Sequence, residues 1–394
     1  MIGEFEVSKK RIISIIFIYL LLSIGYTQTR LASQQTLFYL PQGFVLDGLT
    51  GYGYQKSTIS TISNILAANP ANSQDFDRIT FGFSYQFDSK ISEAWIVDFG
   101  HSRTKSLIPQ SFSLVIPYND FRLSVGMNQF YNSELDYGTL YGAIRADSAQ
   151  GFIDIIVHPK KEVIIFRNSI SASYRFSESG SPLNSLCLGI QFNINYLTYK
   201  YNLGFPAEYE FLIPGTEKVT KNFFANNLAV GFRYGIKTST SSSVGAGVYY
   251  ESAVDYVIVD KAEGIKYIGH VPAKSNFGIM YEPNINFNFS SDFSYIFWED
   301  INADYQNQLE FALNGCFRLS DNLSISAGIF HTDRVYHSVS QAFDFSRFTA
   351  NYLIGGIAFR NDWLSFELAV ADSRLFSDEW REQYIIKSGL GFHL

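Results

Sequence analysis

Four side chains that could do chemistry lie close together in residues 331–340, which read HTDRVYHSVS. They are His331, Asp333, His337 and Ser338, the residue types that form nucleophile–base constellations in hydrolases. Their spacing matches neither a nucleophile elbow nor a zinc-binding helix, and a solvated loop explains the same composition. The sequence also has no phosphate-binding loop and no metal-ligand cluster. We therefore predict no catalytic residue, no metal site, no cofactor and no enzymatic activity.

The net charge and the cysteines bear on two further questions, whether the protein binds nucleic acid and whether it forms a disulfide. The formal net charge is −7, and no basic cluster is present, which argues against nucleic acid as a partner. The two cysteines, Cys187 and Cys316, lie far apart in different predicted strands. We expect two free thiols in packed strands rather than a disulfide.

The start of the chain has the pattern of an export signal. Lys9, Lys10 and Arg11 precede an apolar run over residues 12–25. This run is shorter than the ~18 residues that a membrane-spanning helix needs, but it fits the apolar region of a secretory signal. We predict a signal peptide over residues 1–27 with cleavage after Thr27, so the protein is exported.

The rest of the chain alternates between large apolar and small polar residues. Residues 285–297 read INFNFSSDFSYIF, and residues 78–88 and 188–196 have the same period of two. Such alternation predicts strands whose two faces meet different solvents. Aromatic residues make up 17% of the chain and charged residues also 17%, whereas a globular protein has about 25% charged residues. We therefore predict an all-β fold, a transmembrane antiparallel β-barrel over residues 78–394, with the aromatics facing lipid and Trp298 near the interface.

Short and long connections alternate along the predicted strands. Six tight reversals are predicted at residues 118–120, 177–184, 237–242, 281–284, 319–322 and 360–362. They give twelve strands, and one strand at each end makes 14, with 12 or 16 allowed by the ambiguous residues 78–100 and 138–158. Short turns on one side and long loops on the other are typical of barrels in the outer membrane of Gram-negative bacteria. Such a barrel contacts outer-membrane lipid.

The final strand and the segment before the first strand are also distinctive. Residues 383–394, QYIIKSGLGFHL, form an amphipathic strand that is similar to the signal read by the outer-membrane insertion machinery. Residues 28–77 are too irregular for a barrel strand and too apolar for a disordered tail. They contain Asn69, Pro70 and Ala71 shortly before the first strand, and we interpret them as a small N-terminal hatch, or plug.

Four sequence blocks follow one another in a characteristic order: the Asn-Pro-Ala motif before the first strand, LIPQSFSLVIPYNDFRLSVGMNQFY, VPAKSNFGIMYEPNINFNFSSDFSYIFWED and LEFALNGCFRLSDNLSISAGIF. In this order they resemble the FadL/TodX family of transporters for long-chain fatty acids and aromatic hydrocarbons. The resemblance implies a hatch followed by a 14-stranded barrel. It also implies passive uptake of a hydrophobic small molecule, which enters an apolar pocket and leaves sideways through the wall at a kinked strand.

The resemblance assigns roles to several residues, and each role has a plainer alternative. Phe38, Tyr39, Phe44, Val45 and Leu46 would line the ligand pocket, or simply pack the plug. Asn69 would hold the hatch to the wall through its side chain, or form an ordinary Asn-Pro turn.

Gly126 would permit a strand kink, or mark a lumen position where the backbone of the plug comes close. For the whole protein, the second functional hypothesis is a type IX secretion shuttle, a related barrel that binds secreted protein cargo. A wide, loop-covered outer face would favour the shuttle, and an apolar lumen pocket linked to a wall gap would favour uptake. A water-filled porin is disfavoured by the hatch and by the lack of a predicted charge ladder on the inward faces.

Overall fold

The structure is a computed structural model, and it describes residues 34–36, 46–93, 101–136, 140–145, 152–157, 160–177, 184–202, 218–239, 241–260, 265–300, 305–333, 335, 350–376 and 383–394. The predicted signal peptide lies outside the described residues. So do Phe38, Tyr39, Phe44 and Val45 of the predicted pocket, and His337 and Ser338 of the polar segment.

Fourteen antiparallel strands close into one barrel, as predicted. The strands are β1 Thr80–Glu93, β2 His101–Tyr118, β3 Phe121–Asp136, β4 Lys160–Ser177, β5 Asn184–Asn202, β6 Lys218–Lys237, β7 Ser243–Glu251, β8 Lys274–Asn284, β9 Phe287–Ile296, β10 Gln308–Ser320, β11 Leu323–Thr332, β12 Ala350–Arg360, β13 Leu364–Asp372 and β14 Gln383–His393. The last strand pairs with the first, from Gln383 opposite Lys90 to His393 opposite Thr80. Closure leaves no free sheet edge at this seam.

The two ends of the barrel differ as the sequence predicts. All six predicted tight reversals connect consecutive strands, from β2–β3 to β12–β13, and they share one end with both termini of the barrel. We refer to this as the turn end. At the other end, the loop end, the connections are longer. The ambiguous residues 138–158 include a separate hairpin, Leu140–Arg145 with Phe152–Val157, which does not join the barrel.

The two faces of each strand meet different surroundings. Phe287, Phe289, Phe293 and Tyr295 of β9 are exposed on the outer face, whereas Asp292 and its neighbours Ser290 and Ser294 are buried inside. The same alternation of exposed apolar and buried polar residues recurs around the ring. An exposed apolar band on a closed barrel is a lipid-facing surface, so the protein is an outer-membrane barrel.

Trp298 is an exception to the predicted lipid-facing surface. Only 5% of its surface is exposed, and it packs on Tyr305 and Val335 at the loop end. Its Nε1 donates a hydrogen bond to Oε1 of Gln308 at 2.9 Å. The interface position predicted for Trp298 is therefore wrong, because β9 ends at Ile296 and the chain turns inward after it.

Smaller elements lie within or above the barrel. The β7–β8 connection forms a hairpin, Val254–Asp260 with Ile265–Val271, and Gln34–Thr36 pairs with it in parallel. Leu49–Thr50 and Gly53–Tyr54 form a second, very short hairpin, and Pro70–Asp75 is a 3-10 helix. No helix in the described part of the chain is long and apolar enough to cross a membrane.

Candidate functional site

Residues 46–76, which we call the lumen segment, lie inside the barrel. Nearly all of them are buried, although most are polar. The inward polar side chains of the wall supply their partners. Asn314 of β10 exchanges two hydrogen bonds with the backbone of Tyr54, at 2.9 and 2.7 Å, in the manner of a strand partner. Asp292 of β9 accepts from the amide of Ser57 at 2.8 Å.

Asn69 connects the lumen segment to the barrel wall. Its side-chain nitrogen donates to the carbonyl oxygens of Phe232 on β6 at 2.8 Å and of Ser57 at 3.0 Å, with a longer contact to that of Val248 on β7 at 3.4 Å. Its side-chain oxygen accepts from the amide of Ala71 at 3.0 Å, which caps the 3-10 helix that starts at Pro70. The side chain thus bonds to the wall and also forms the local turn, so both roles considered for Asn69 are present in one residue.

Glycines on the inward face allow this close approach. A Cβ atom at Gly247 would overlap the carbonyl oxygen of Ser57, and one at Gly231 would overlap the side-chain oxygen of Asn69. Since any other residue carries a Cβ, the lumen segment can dock at these two positions only against glycine.

Charged groups also lie within the lumen. Asp47 and Lys56 of the lumen segment form a buried ion pair with an N–O distance of 2.6 Å. Burial alone would raise the pKa of Asp47, but the Lys56 ammonium holds it below its usual range. Burial would lower the pKa of Lys56, but the Asp47 carboxylate raises it well above its usual value. This pair belongs to the lumen segment and not to the strands, so it does not test the prediction that the inward faces lack a charge ladder.

The barrel wall is incomplete between β2 and β3. The two strands pair from Tyr118 opposite Phe121 to Ser111 opposite Asn128, and no further. Beyond that point residues 101–109 pair only with β1, and Gln129 and residues 131–136 pair only with β4. We call the space between these two stretches the wall gap, and it extends towards the loop end.

Irregularities in the neighbouring ladders mark where the gap begins. The β1–β2 register shifts between Ser84 and Tyr85, which leaves Gln110 as an extra residue, and the β3–β4 register shifts so that Phe130 is extra. Bulges of this kind bend a strand and re-aim its side chains. Gly126 itself pairs regularly with Ser113 and Ser169. A Cβ there would lie 2.6 Å from Cδ1 of Leu66, so Gly126 matches the alternative of close approach by the lumen segment.

A buried apolar cluster borders the wall gap inside the barrel. It includes two gap residues, Phe130 and Tyr131, together with wall residues of β4, β5 and β6 and residues of the β7–β8 hairpin. Its members are Phe130, Tyr131, Val163, Ile165, Leu197, Phe223, Val254, Tyr256 and Val271. A buried apolar cluster inside the lumen thus adjoins an opening in the wall.

A network of charged and amide side chains lies beside this cluster, on the side of the wall gap. Arg167 of β4 lies 2.5 Å from Glu251 of β7, and Lys274 of β8 lies 3.1 Å from the same carboxylate. Asn227 donates to Glu251 at 3.0 Å and accepts from Asn195. All the side chains of the network are buried. The positive charges near the cluster are therefore already shared with a carboxylate.

A cavity of about 640 Å³ with a mixed polar and apolar lining lies at the turn end. Residues 58–62 of the lumen segment form part of its wall, and Arg233, Arg318 and Arg360 are among its other lining residues. Arg233 pairs with Asp75. The lumen segment lies between this cavity and the apolar cluster.

The remaining predicted residues have the following positions. Leu46 packs against a second buried cluster that contains Leu49, Tyr54 and Phe330. This favours plug packing over pocket lining for Leu46. His331 bonds to Asn351 at 2.6 Å and to Asp333 at 3.0 Å. Since His337 and Ser338 are not described, the absence of a catalytic site stays a prediction. Cys187 and Cys316 are buried free thiols, as expected.

Comparison with solved structures decides the fold. A TodX deltaS2S3 mutant, a monoaromatic hydrocarbon channel, matches with a TM-score of 0.58 and 14% identity over 92% of this chain and 99% of that one. The chain has the fold of the FadL and TodX channels. Similar matches are a FadL homologue of Pseudomonas aeruginosa, with a TM-score of 0.55, 12% identity and coverage of 89% and 99%, and the toluene transporter TbuX of Ralstonia pickettii, with a TM-score of 0.54, 11% identity and coverage of 88% and 98%.

The FadL/TodX resemblance inferred from short motifs is therefore confirmed for the fold. No protein-family model matches the sequence, and the comparison with curated proteins gives no match. The resemblance implied an opening in the wall, but sequence reasoning did not give its position, and it missed the bulges and the Arg167 network. One signal was available: Pro109 lacks the amide that a central strand needs, and the adjacent aromatics Phe130 and Tyr131 interrupt the alternation of β3.

Proposed function

We propose that the barrel carries hydrophobic small molecules across the outer membrane without an energy source. The observation that supports this most directly is that the apolar cluster adjoins the wall gap. A lipophile gains about 0.8 kcal/mol for each methylene that leaves water, so an apolar surface in the lumen attracts such molecules from the outside. The structural neighbours described as hydrocarbon channels or toluene transporters lend further support.

The position of the wall gap suits a lateral exit. Eight residue pairs join β2 and β3 below the gap. At roughly 3.4 Å per residue and a tilt of about 40°, the gap begins roughly 18 Å above the turns, within an apolar band about 25 Å tall. Among the described residues, β2 and β3 form no ladder with each other across the gap. Backbone outside a ladder is tolerated at membrane depth only where it lines a cavity or is covered by protein, which fits a passage.

The lumen segment would act as the hatch. Because it would block the direct route through the barrel, and three arginines line the cavity beyond it, a lipophile would be directed to the wall rather than to the turn end. The apolar cluster includes residues of the β7–β8 hairpin, so entry from outside would require that hairpin to shift. Docking to the insertion machinery through β14 stays a prediction from the sequence.

A cross-linking experiment tests the lateral route. In a background with Cys187→Ser and Cys316→Ser, the substitutions Leu107→Cys and Asn132→Cys place one thiol on each side of the gap. Closing them with bismaleimides of increasing length should abolish uptake of a labelled long-chain fatty acid and of a labelled aromatic hydrocarbon. The matched control is the Leu107→Cys variant treated with the same reagents, which should retain uptake.

Two results would count against the proposal, and they differ in meaning. Full uptake through the cross-linked barrel would exclude the wall gap as the exit. No uptake of either ligand by the intact, inserted barrel would reject transport of these compounds and favour the secretion-shuttle hypothesis. A variant lacking residues 28–71 tests the hatch separately, because uptake should change when the lumen segment is removed.

A further inference from the structure

The wall gap begins at three amide side chains. Ser111 opposite Asn128 is the last pair between β2 and β3, so Gln110 and Gln129 are the first residues on the two sides of the gap. We call Gln110, Asn128 and Gln129 the gap apex. Each is at most 2% exposed. The apex thus places concentrated hydrogen-bonding capacity where the wall opens.

Several polar atoms of the apex have no partner among the described residues. These are Nε2 of Gln110, both Nδ2 and Oδ1 of Asn128, and Oε1 of Gln129. Oε1 of Gln86, on the neighbouring strand β1, also has no hydrogen-bond partner among the described residues. The Gln110 oxygen accepts a hydrogen bond from Ser84 at 2.7 Å. Buried polar groups in native proteins are paired in the great majority of cases, so five such atoms around one opening require an explanation.

The mixture of donors and acceptors indicates what would pair with them. Two of the atoms are amide nitrogens that donate, and three are amide oxygens that accept. A hydroxyl or an amide both donates and accepts, so it can pair with either kind. A carboxylate only accepts, and would meet three oxygens without offering a proton. A pure hydrocarbon would leave all five atoms unpaired.

The nearest cation does not change this conclusion. Arg167 is the cross-strand neighbour of Asn128. However, its guanidinium lies against Glu251 at 2.5 Å, and its Nε donates to Asn195 at 2.9 Å. Arg167 therefore already has a carboxylate and an amide oxygen as partners.

We propose that the gap apex binds the uncharged hydroxyl or amide head group of an amphiphile while its apolar part lies on the cluster beside Phe130. This deepens the proposed function and rests on it. The barrel would then prefer neutral amphiphiles over both hydrocarbons and fatty-acid anions of equal chain length.

A matched ligand series tests the preference. Uptake of labelled hexadecanol, hexadecane and palmitate would be measured in cells with the intact protein, with an empty vector, and with the variants Gln110→Leu, Asn128→Leu and Gln129→Leu. Leucine keeps the approximate size of each side chain and removes its hydrogen bonds. Asn276→Leu is the control, because Asn276 is an equally buried lumen amide with an unpartnered nitrogen, but lies on β8, away from the gap.

The expected result is faster uptake of the alcohol than of the alkane or the acid by the intact protein. The ratio of alcohol to alkane uptake should fall about tenfold in Asn128→Leu and by a smaller factor in the two glutamine variants. Asn276→Leu should keep the ratio of the intact protein.

Other results would overturn the proposal. An unchanged ratio in all three apex variants would show that the amides do not bind the head group, and a preference for palmitate would show that the site takes an anion. In either case uptake itself persists, so the proposed function stands. Failure to take up any of the three ligands by an inserted barrel would reject both. Insertion of each variant is checked by the shift in gel mobility on heating, and alcohol binding to the purified barrel by calorimetry.

Discussion

The guanidinium carbon of Arg167 lies 3.8 Å from the centre of the Phe130 ring. Phe130 is the extra residue of the β3–β4 bulge, and Arg167 is held in turn by Glu251. A buried cation–π contact of this kind contributes about 2 kcal/mol. The side chain that borders the wall gap is therefore positioned by a charge network whose other members lie on β7 and β8.

Removing Arg167 should destabilise the barrel strongly. In Arg167→Gln the Glu251 carboxylate keeps only Lys274 and Asn227 as partners, and breaking a buried pair costs about 3–5 kcal/mol. The measurement is urea unfolding of the barrel in lipid, followed by gel mobility. Lys200→Gln is the matched control, because Lys200 and Glu162 form an exposed pair that contributes at most about 1 kcal/mol. Equal effects of the two substitutions would contradict this account of the network.

Asn69→Ala should loosen the lumen segment while leaving the barrel closed. The substitution removes the three hydrogen bonds of 3.0 Å or less that the side chain makes, to Phe232, Ser57 and Ala71, each contributing about 0.5–1.5 kcal/mol. Amide hydrogen exchange over residues 56–72 should therefore accelerate at least tenfold, with exchange in the strands unchanged. Asn286→Ala, in the exposed turn between β8 and β9, is the control. Unaltered exchange in Asn69→Ala would mean that other contacts hold the segment.

Features of the fold and the site could be predicted from the sequence where they depend on neighbouring residues, and not where they depend on residues far apart in the chain. The alternation of residues 285–297 and the tight reversals are local, and both predict the strands and their number correctly. The contact of Asn69 with Phe232 joins residues 163 positions apart. It follows from barrel closure, which no local pattern specifies. The wall gap is harder still to predict, because it is an absence of pairing between two strands that each remain paired on their other side. Only Pro109 and the adjacent aromatics of β3 mark it in the sequence.

Gly247→Ala should displace the lumen segment, and Gly355→Ala should not. A Cβ at Gly247 would overlap the Ser57 carbonyl, whereas a Cβ at Gly355 has nothing within 4 Å. Both glycines lie in strands of the same barrel, so the backbone effects of the change are comparable. Limited digestion with trypsin reports the difference, because Lys56 is buried and should become cleavable only in Gly247→Ala. Cleavage at Lys56 in both variants, or in neither, would contradict a steric role for Gly247.

The contribution of the Asp47–Lys56 pair to stability should be nearly independent of pH between about 5 and 9. The contribution of Asp47, whose folded pKa is lowered, is present above its unfolded pKa of about 4 and is lost as pH falls through the folded value. That of Lys56, whose folded pKa is raised, is present below its unfolded pKa of about 10.4 and is lost as pH rises through the folded value. Between those limits both groups stay charged in the folded and unfolded states.

Asp47→Asn should make the free energy of unfolding more dependent on pH. Without the carboxylate, burial lowers the folded pKa of Lys56 below its unfolded value, against the individually weaker effects of Tyr54, Glu310 and Tyr249. The unfolded state then binds more protons, so the free energy of unfolding should rise with pH between 7 and 9, by at most about 1.4 kcal/mol per pH unit. Urea unfolding at pH 7, 8 and 9 measures the slope, and Lys56→Met in the same background should abolish it. A flat profile in Asp47→Asn alone would show that Lys56 keeps its charge through other partners.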